Sequence, residues 1–205
     1  MMIRQIKLLA VVIAVITFKH TDAQDSKKIG FTTGVGVNKI QGQLHHTFRS
    51  TVAFNSGLEI ALGKKWYAQA ELNFNSLKYD QQIKADNSSY LFQNTNSSLL
   101  LLGLNGGRNF KLGKSSWFTS LYGGSGFISV GEPRISIDED KKIVIQTAAR
   151  RSGIFGKGGG RIGLDTKSKI FQTLYIDGAY WISSVNTQGA SLKGISLFAG
   201  IKMSI

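Results

Sequence analysis

Apolar and polar residues alternate regularly between Thr51 and Asn75. The alternation is interrupted once, by the polar segment Gly63-Lys64-Lys65. Successive side chains of a β-strand point to opposite faces, so each arm of this segment would have one apolar and one polar face. The pattern predicts a β-hairpin with a tight turn at residues 63–65.

Three features of this hairpin favour strands that cross a membrane. Each arm runs to about 10 residues, the length that a tilted strand needs to cross a bilayer. Glu59 and Glu71 lie in the middle of the polar faces and not at their ends. Trp66 and Tyr67 follow the turn, at the level where a strand would enter the lipid headgroups.

The same alternation continues along the chain and predicts eight strands, over residues 29–38, 52–62, 66–75, 98–110, 117–130, 152–164, 170–182 and 191–205. Short turns at 63–65, 111–116 and 165–169 alternate with longer connections at 39–50, 78–96, 131–150 and 183–189. Outer-membrane barrels have an even strand number, short periplasmic turns and longer external loops. We therefore predict an all-β fold, an eight-stranded antiparallel up-and-down transmembrane β-barrel. Residues 143–145 are expected to extend a strand above the membrane.

Aromatic residues flank the three short turns. We interpret them as a girdle of rings at the headgroup level, as transmembrane barrels have. The predicted girdle comprises Trp66, Tyr67, Phe110, Trp117, Phe118 and Phe171.

The N-terminus has the pattern of a secretory signal peptide. Arg4 and Lys7 precede the uncharged apolar run 8–18, and Thr21-Asp22-Ala23 offers small residues before a cleavage site. The run is well short of the roughly 20 residues of a transmembrane helix. We expect a signal peptide over residues 1–23 and a barrel domain over residues 24–205.

Composition agrees with an exported barrel. The chain has no cysteine, 24 glycines and 1 proline, and its formal net charge is +13. An exported domain without disulfides must be stabilised by a large core or by a bilayer. The basic residues are scattered and are not interleaved with aromatics, which argues against nucleic acid as a partner. Outer-membrane lipids, including surface lipid phosphates, are the simpler partner for this charge.

An eight-stranded barrel has an interior only wide enough to be filled by side chains. Alternation places three acidic and three basic residues inside: Glu59, Glu71, Lys157, Arg161, Asp177 and Lys202. Buried charges are costly unless they are paired. We therefore predict a network of internal ion pairs that shuts the lumen. A proton or ion path is the functional alternative, although no residue pattern marks a gate.

Other patterns give little support for an enzyme. Gly158, Gly160 and Gly163 have G-x-G-x-x-G spacing, but this motif binds a pyrophosphate only between a strand and a helix, and here it lies within a predicted strand. His45 and His46 would point apart in an extended chain and have no cysteine nearby, so they form a poor metal site. We expect no catalytic residue, no metal and no cofactor.

Three segments resemble the PorT-like family of outer-membrane β-barrels and, more loosely, the small OmpX-type barrels. They are Ala23-Gln24, the first predicted strand at residues 30–36 and the last at residues 194–200. The resemblance implies insertion by the barrel-assembly machinery and an accessory role in envelope assembly or protein export. Many members end in an aromatic residue, whereas this chain ends in Ile205.

We therefore expect a monomeric, non-enzymatic barrel that acts through its long loops on surface lipids, a partner protein or a host surface. Two alternatives are a lipid-modifying membrane enzyme that uses His45 or His46, and a soluble secreted barrel that binds an apolar ligand. The second alternative makes an opposite prediction about the faces. A soluble barrel would turn Leu100, Leu102, Ile195, Leu197 and Ile201 inward, and a membrane barrel would turn them outward.

Overall fold

A computed structural model describes residues 29–83, 91, 93–138, 143–166, 168 and 170–205. The predicted signal peptide, residues 1–23, lies outside the described residues. Among the described residues, no helix is long and apolar enough to cross a membrane.

Eight antiparallel strands close into one barrel in the order of the chain, β1 to β8, with β8 pairing back onto β1. This confirms the predicted fold class. The strands are β1 Ile29–Ile40, β2 Phe48–Ala61, β3 Trp66–Tyr79, β4 Thr95–Lys111, β5 Trp117–Asp138, β6 Ile143–Asp165, β7 Phe171–Thr187 and β8 Ala190–Ser204.

The two ends of the barrel differ. We call one the turn end: it holds the short connections at 62–65, 112–116 and 166–170 together with Ile29 and Ile205, whose backbones are hydrogen-bonded. We call the other the loop end: it holds the connections at 41–47 and 188–189 and the strand ends at Tyr79, Thr95, Asp138 and Ile143. A short 3-10 helix, η1, spans Gly42–His45 in the first of these.

The loop end contains more strand than the sequence pattern predicts. The predicted loop at 131–150 is wrong: β5 and β6 pair without interruption from Gly131 opposite Arg150 to Asp138 opposite Ile143. The expected strand at residues 143–145 is confirmed within this extension. A polar antiparallel ladder satisfies its backbone hydrogen bonds whatever its side chains are, so loss of alternation does not end the strand.

The other predicted loops are also shorter than expected. The predicted loops 39–50 and 78–96 both lose residues to strands, since β1 ends at Ile40 and β3 ends at Tyr79. In place of the predicted loop 183–189, β7 continues to Thr187 and meets β8 through a two-residue turn. Gln188 and Gly189 in this turn both have positive φ, 47° and 74°. Such a turn matches the twist of paired strands.

The apolar stripe of each strand faces outward. Leu72, Leu102 and Leu197 are 43%, 52% and 52% exposed, whereas Glu71 and Arg161 are buried at 8% and 6%. Leu100 and Ile201 are half-exposed on the same outer surface. This distribution is opposite to that of a soluble barrel with an apolar ligand pocket. The outer surface is the apolar band of a transmembrane barrel.

The interior has two tiers, and only one of them is polar. The predicted network of ion pairs fills only one tier, and in the half nearer the loop end an apolar core fills the barrel instead. This apolar tier comprises Ile40, Leu44, Phe48, Leu77, Tyr79, Leu99, Leu101, Ile128, Val130, Phe155, Trp181, Val185 and Leu192. Leu99 and Leu101 belong to a run of four leucines, so β4 is apolar on both faces there. Leu44 of η1 is buried in this core.

A charge on the outer face tests the orientation of the strands. We expect Leu102→Arg to lower the free energy of unfolding in lipid vesicles by about 2–4 kcal/mol, because an outward arginine near the middle of the bilayer must enter hydrocarbon. Asn96→Arg is the matched control, on the same face of β4 but at the loop end. It should cost about 0–1 kcal/mol. Equal costs for the two variants, measured by denaturant titration, would contradict the outward assignment.

Candidate functional site

Arg161 lies at the centre of the polar tier. It points inward from β6, where Asp177 of β7 is its direct neighbour in the sheet. Its Nε donates to Asp177 Oδ2 at 3.1 Å and its Nη1 donates to Glu59 Oε2 at 2.9 Å across the barrel. Lys202 Nζ donates to the other oxygen of Glu59 at 2.6 Å. Arg161 therefore joins β6 to β7 and β2, and Lys202 adds β8.

A second group of the polar tier is built on Glu71 of β3. Lys157 Nζ lies 2.5 Å from Glu71 Oε2, and Asn105 Nδ2 donates to the same oxygen at 2.7 Å. Asn55 Nδ2 donates to Oε1 at 3.2 Å. The Tyr122 hydroxyl, on β5, donates to Asp177 at 2.5 Å. Gln69 of β3 accepts from Arg161 and donates to Thr32 of β1 at 3.0 Å, so the polar tier links all eight strands.

The structure thus places all six sequence-predicted interior residues inside the barrel and brings each into an ion pair. Each of the three carboxylates accepts from a cation and from at least one other donor. The oxygens of these carboxylates are therefore already engaged by donors of the protein itself. The arrangement is suited to filling and bracing the barrel rather than to acid–base chemistry.

Two members of the predicted aromatic girdle face inward instead. Tyr67 is 2% exposed and lies in the polar tier, and the ring of Phe118 covers Gly163. Tyr67 has the parity of Gln69 and Glu71 along β3, a signal that would have placed it correctly. Its ring and that of Tyr175 lie 5.9 Å and 4.4 Å from the Arg161 guanidinium carbon, in cation–π contact.

The other four predicted girdle residues are exposed near the turn end: Trp66, Phe110, Trp117 and Phe171. Arg108 lies between two of these rings, 5.4 Å from Trp66 and 5.3 Å from Phe110. A cation between aromatic rings at this level suits the boundary between hydrocarbon and headgroups.

Sequence analysis missed a buried acid at the loop end. Glu132 is 1% exposed; it accepts from Arg151 Nε at 2.8 Å and from the Thr187 hydroxyl, and it lies 3.6 Å from Arg134. It lies within the predicted loop at 131–150, outside the segments for which strands are predicted. Its parity along β5 matches that of the inward residues Ile128 and Val130.

The expectation that His45 and His46 point apart is wrong, because both lie in the helical turn at the end of η1 and their rings contact each other at 45° with centroids 3.5 Å apart. No described acid joins them: His45 Nδ1 lies 2.9 Å from the carbonyl oxygen of Gly42. Among the described residues, no group of three or more His, Asp or Glu side chains could hold a metal ion. Gly158, Gly160 and Gly163 lie within β6, so their spacing is not that of a strand-to-helix phosphate loop.

Comparisons with solved structures agree with this architecture. Neisserial surface protein A matches with a TM-score of 0.58 and 12% identity, over 86% of this chain and 97% of that one. Ail, the attachment invasion locus protein of Yersinia pestis, matches with a TM-score of 0.50 and 12% identity, over 86% and 98%. The chain has the fold of these barrels. No protein-family model and no curated protein matches its sequence.

Removing the central cation tests the ion-pair network. Arg161→Met should lower the free energy of unfolding by about 3–5 kcal/mol, because it leaves buried carboxylates without their partner. The triple variant Arg161→Met, Glu59→Gln, Asp177→Asn removes the charges together and should regain most of that loss. Equilibrium unfolding in lipid vesicles measures both. A triple variant as unstable as the single one would show that the pairing of charge is not what matters.

The two-tier interior predicts that the lumen does not conduct. Purified protein in planar bilayers should give no stable channel steps of porin size, because side chains of the polar and apolar tiers fill the cross-section of an eight-stranded barrel. Trp181→Ala, which shortens the largest fully buried side chain of the apolar tier, should also stay closed since the polar tier is intact. Stable open steps from the unaltered chain would overturn the closed interior.

Proposed function

We propose that this chain is an exported, monomeric, non-enzymatic outer-membrane barrel whose loop end binds anionic sugars at the cell surface. The observation behind this proposal is that side chains fill the interior of the barrel. With the polar and apolar tiers occupied by side chains, binding is left to the two ends and the outer wall. The turn end, with both described chain ends, would face the periplasm, and the loop end would face outward.

The loop end is basic. Its described basic side chains outnumber the acidic ones, Asp80 and Glu132, and both acids are already paired with arginines. The basic residues are Lys39, Arg49, Lys78, Arg134, Arg150, Arg151 and Lys193. A surface with an excess of positive charge attracts phosphate- or sulfate-bearing partners and speeds their encounter.

A polyanionic sugar is the partner class that this charge favours. Surface lipids of an outer membrane carry phosphates on sugars, so the loop end would meet such groups directly. Ail, one of the similar barrels, was solved in complex with the heparin analogue sucrose octasulfate. Heparin is therefore a practical probe for the loop end of this chain.

The enzyme alternative is less well supported. The interior carboxylates are saturated with donors, and His45 contacts a backbone carbonyl and the His46 ring rather than an acid. Insertion by the barrel-assembly machinery and the PorT-like role in envelope assembly or export, which the family resemblance implies, stay predictions, since no described residue carries that role.

Matched charge variants test the loop end. The loop-end variant changes Lys39, Lys78, Arg150 and Lys193 to Gln, and the turn-end variant changes Lys64, Lys65, Lys111 and Lys114 to Gln. Both remove the same charge. On immobilised heparin, the loop-end variant should bind at least about tenfold more weakly than the unaltered chain, which corresponds to about 1.4 kcal/mol. The turn-end variant should lose much less, because it weakens only the long-range attraction between the positively charged chain and heparin.

Binding that rises with salt, or equal losses in the two variants, would contradict a loop-end site. If the unaltered chain does not bind heparin, the proposed binding of sulfated sugars is wrong. Heat-modifiable migration on a gel checks that both variants still form closed barrels.

A further inference from the structure

A cavity of about 930 Å³ opens at the turn end, inside the barrel mouth. Its volume lies at the upper end of the range of small-molecule sites, about 300–1,000 Å³. The turns at 63–65 and 112–116 contribute to its rim, and Arg161 of the polar tier is at its inner limit. The mouth is therefore a concave pocket, shut at its inner end by the ion-pair network.

The lining of this cavity is strongly basic. Its acidic residues are Glu59 and Asp165, and Glu59 already pairs with Arg161 and Lys202. The remaining basic residues of the lining are Lys64, Lys65, Arg108, Lys111 and Lys114. A cleft lined by one sign of charge raises the local concentration of the opposite sign.

Within the part of the chain that the structure describes, no ion pair involves these basic side chains. The four turn lysines are exposed and make no ion pair with the described residues. Arg108 is held by the Trp66 and Phe110 rings, yet its Nε is buried without a hydrogen-bond partner. Arg108 pairs with Trp66 on the outward face of the sheet, so it borders the mouth from the outer side of its rim.

The rest of the lining narrows the class of ligand. Rings of Phe118 and Tyr175 face the cavity from inside the barrel, and Phe110 and Trp117 line its rim. Arginine and clustered lysines are the residues that bind phosphate oxygens. A ligand with a phosphate group and a less polar portion would satisfy the cations and cover the rings.

We propose that the turn-end mouth is a binding site for a phosphate ester, distinct from the sugar-binding loop end. Two sources share this chemistry: the headgroup of an anionic phospholipid in the adjacent leaflet and a soluble phosphate ester. In either case the four turn lysines bind the phosphate, and Arg108 adds positive charge at the outer rim of the mouth.

The test uses the full barrel folded in a neutral detergent and isothermal titration calorimetry. One arm titrates glycerol 3-phosphate, the second titrates short-chain phosphatidylglycerol, and the third titrates short-chain phosphatidylcholine of equal chain length. We expect binding of phosphatidylglycerol at least about tenfold tighter than that of phosphatidylcholine. Binding in the first arm as well would identify the phosphate group alone as sufficient, and its absence would identify the lipid as the source.

Matched variants locate the site. The turn-end variant should lose at least about tenfold in affinity for phosphatidylglycerol, and the loop-end variant, which removes the same charge, should lose none. Arg108→Lys keeps the charge at the outer rim and should leave the affinity for phosphatidylglycerol unchanged. Equal affinity for the two phospholipids, or equal losses in the turn-end and loop-end variants, would overturn the proposal. Because heparin probes the other end, either proposal can fail while the other stands.

Discussion

The constraint behind this structure is the two-residue period of a strand in a small closed barrel. Every second side chain must face the surroundings and every other one must enter a hollow that is too narrow for bulk water. Outward apolar residues such as Leu102 and Leu197 can contact the hydrocarbon of the bilayer without a desolvation cost. Inward residues must then satisfy one another, because no solvent compensates an unpaired charge there.

The chain meets the inward requirement in two different ways. In the half near the turn end, charges are balanced: Arg161 is shared between Glu59 and Asp177, and Lys157 pairs with Glu71. In the half near the loop end, the interior is packed like the core of a soluble protein, around Trp181. This apolar core stabilises the loop end of the barrel by packing inside it, without contact with lipid. Buried Glu132, held by arginines from β5 and β6, closes it.

The sequence predicted the fold where alternation is regular and failed where other features hide it. The hairpin at residues 51–75 was readable because apolar and polar residues alternate without interruption on both sides of one turn. The extension of β5 and β6 through residues 131–150 is not predictable from alternation, because strands outside hydrocarbon need no regular alternation of apolar and polar residues. The apolar tier was missed because the leucines at 99–102 serve both faces of β4.

The members of the ion-pair network were predictable, but their partners were not. Parity along each strand placed the six charges inside. The pairing of Arg161 with Glu59 joins residues 102 positions apart and depends on the stagger of the closed sheet. Adjacent aromatic residues also differ in the direction of their side chains. Trp66 points outward and is exposed, whereas Tyr67 points inward and is buried beside Arg161.

The most direct test of the two faces is a spin-label scan of β4 in a bilayer, which is clean because the chain has no cysteine. Single cysteines at positions 99 to 105 would carry the label, and collision with oxygen, which concentrates in hydrocarbon, would be measured against collision with a water-soluble nickel complex. The account predicts high oxygen access at 100, 102 and 104 and low access to both reagents at 99, 101, 103 and 105. Access without a period of two, or nickel access at the odd positions, would contradict it.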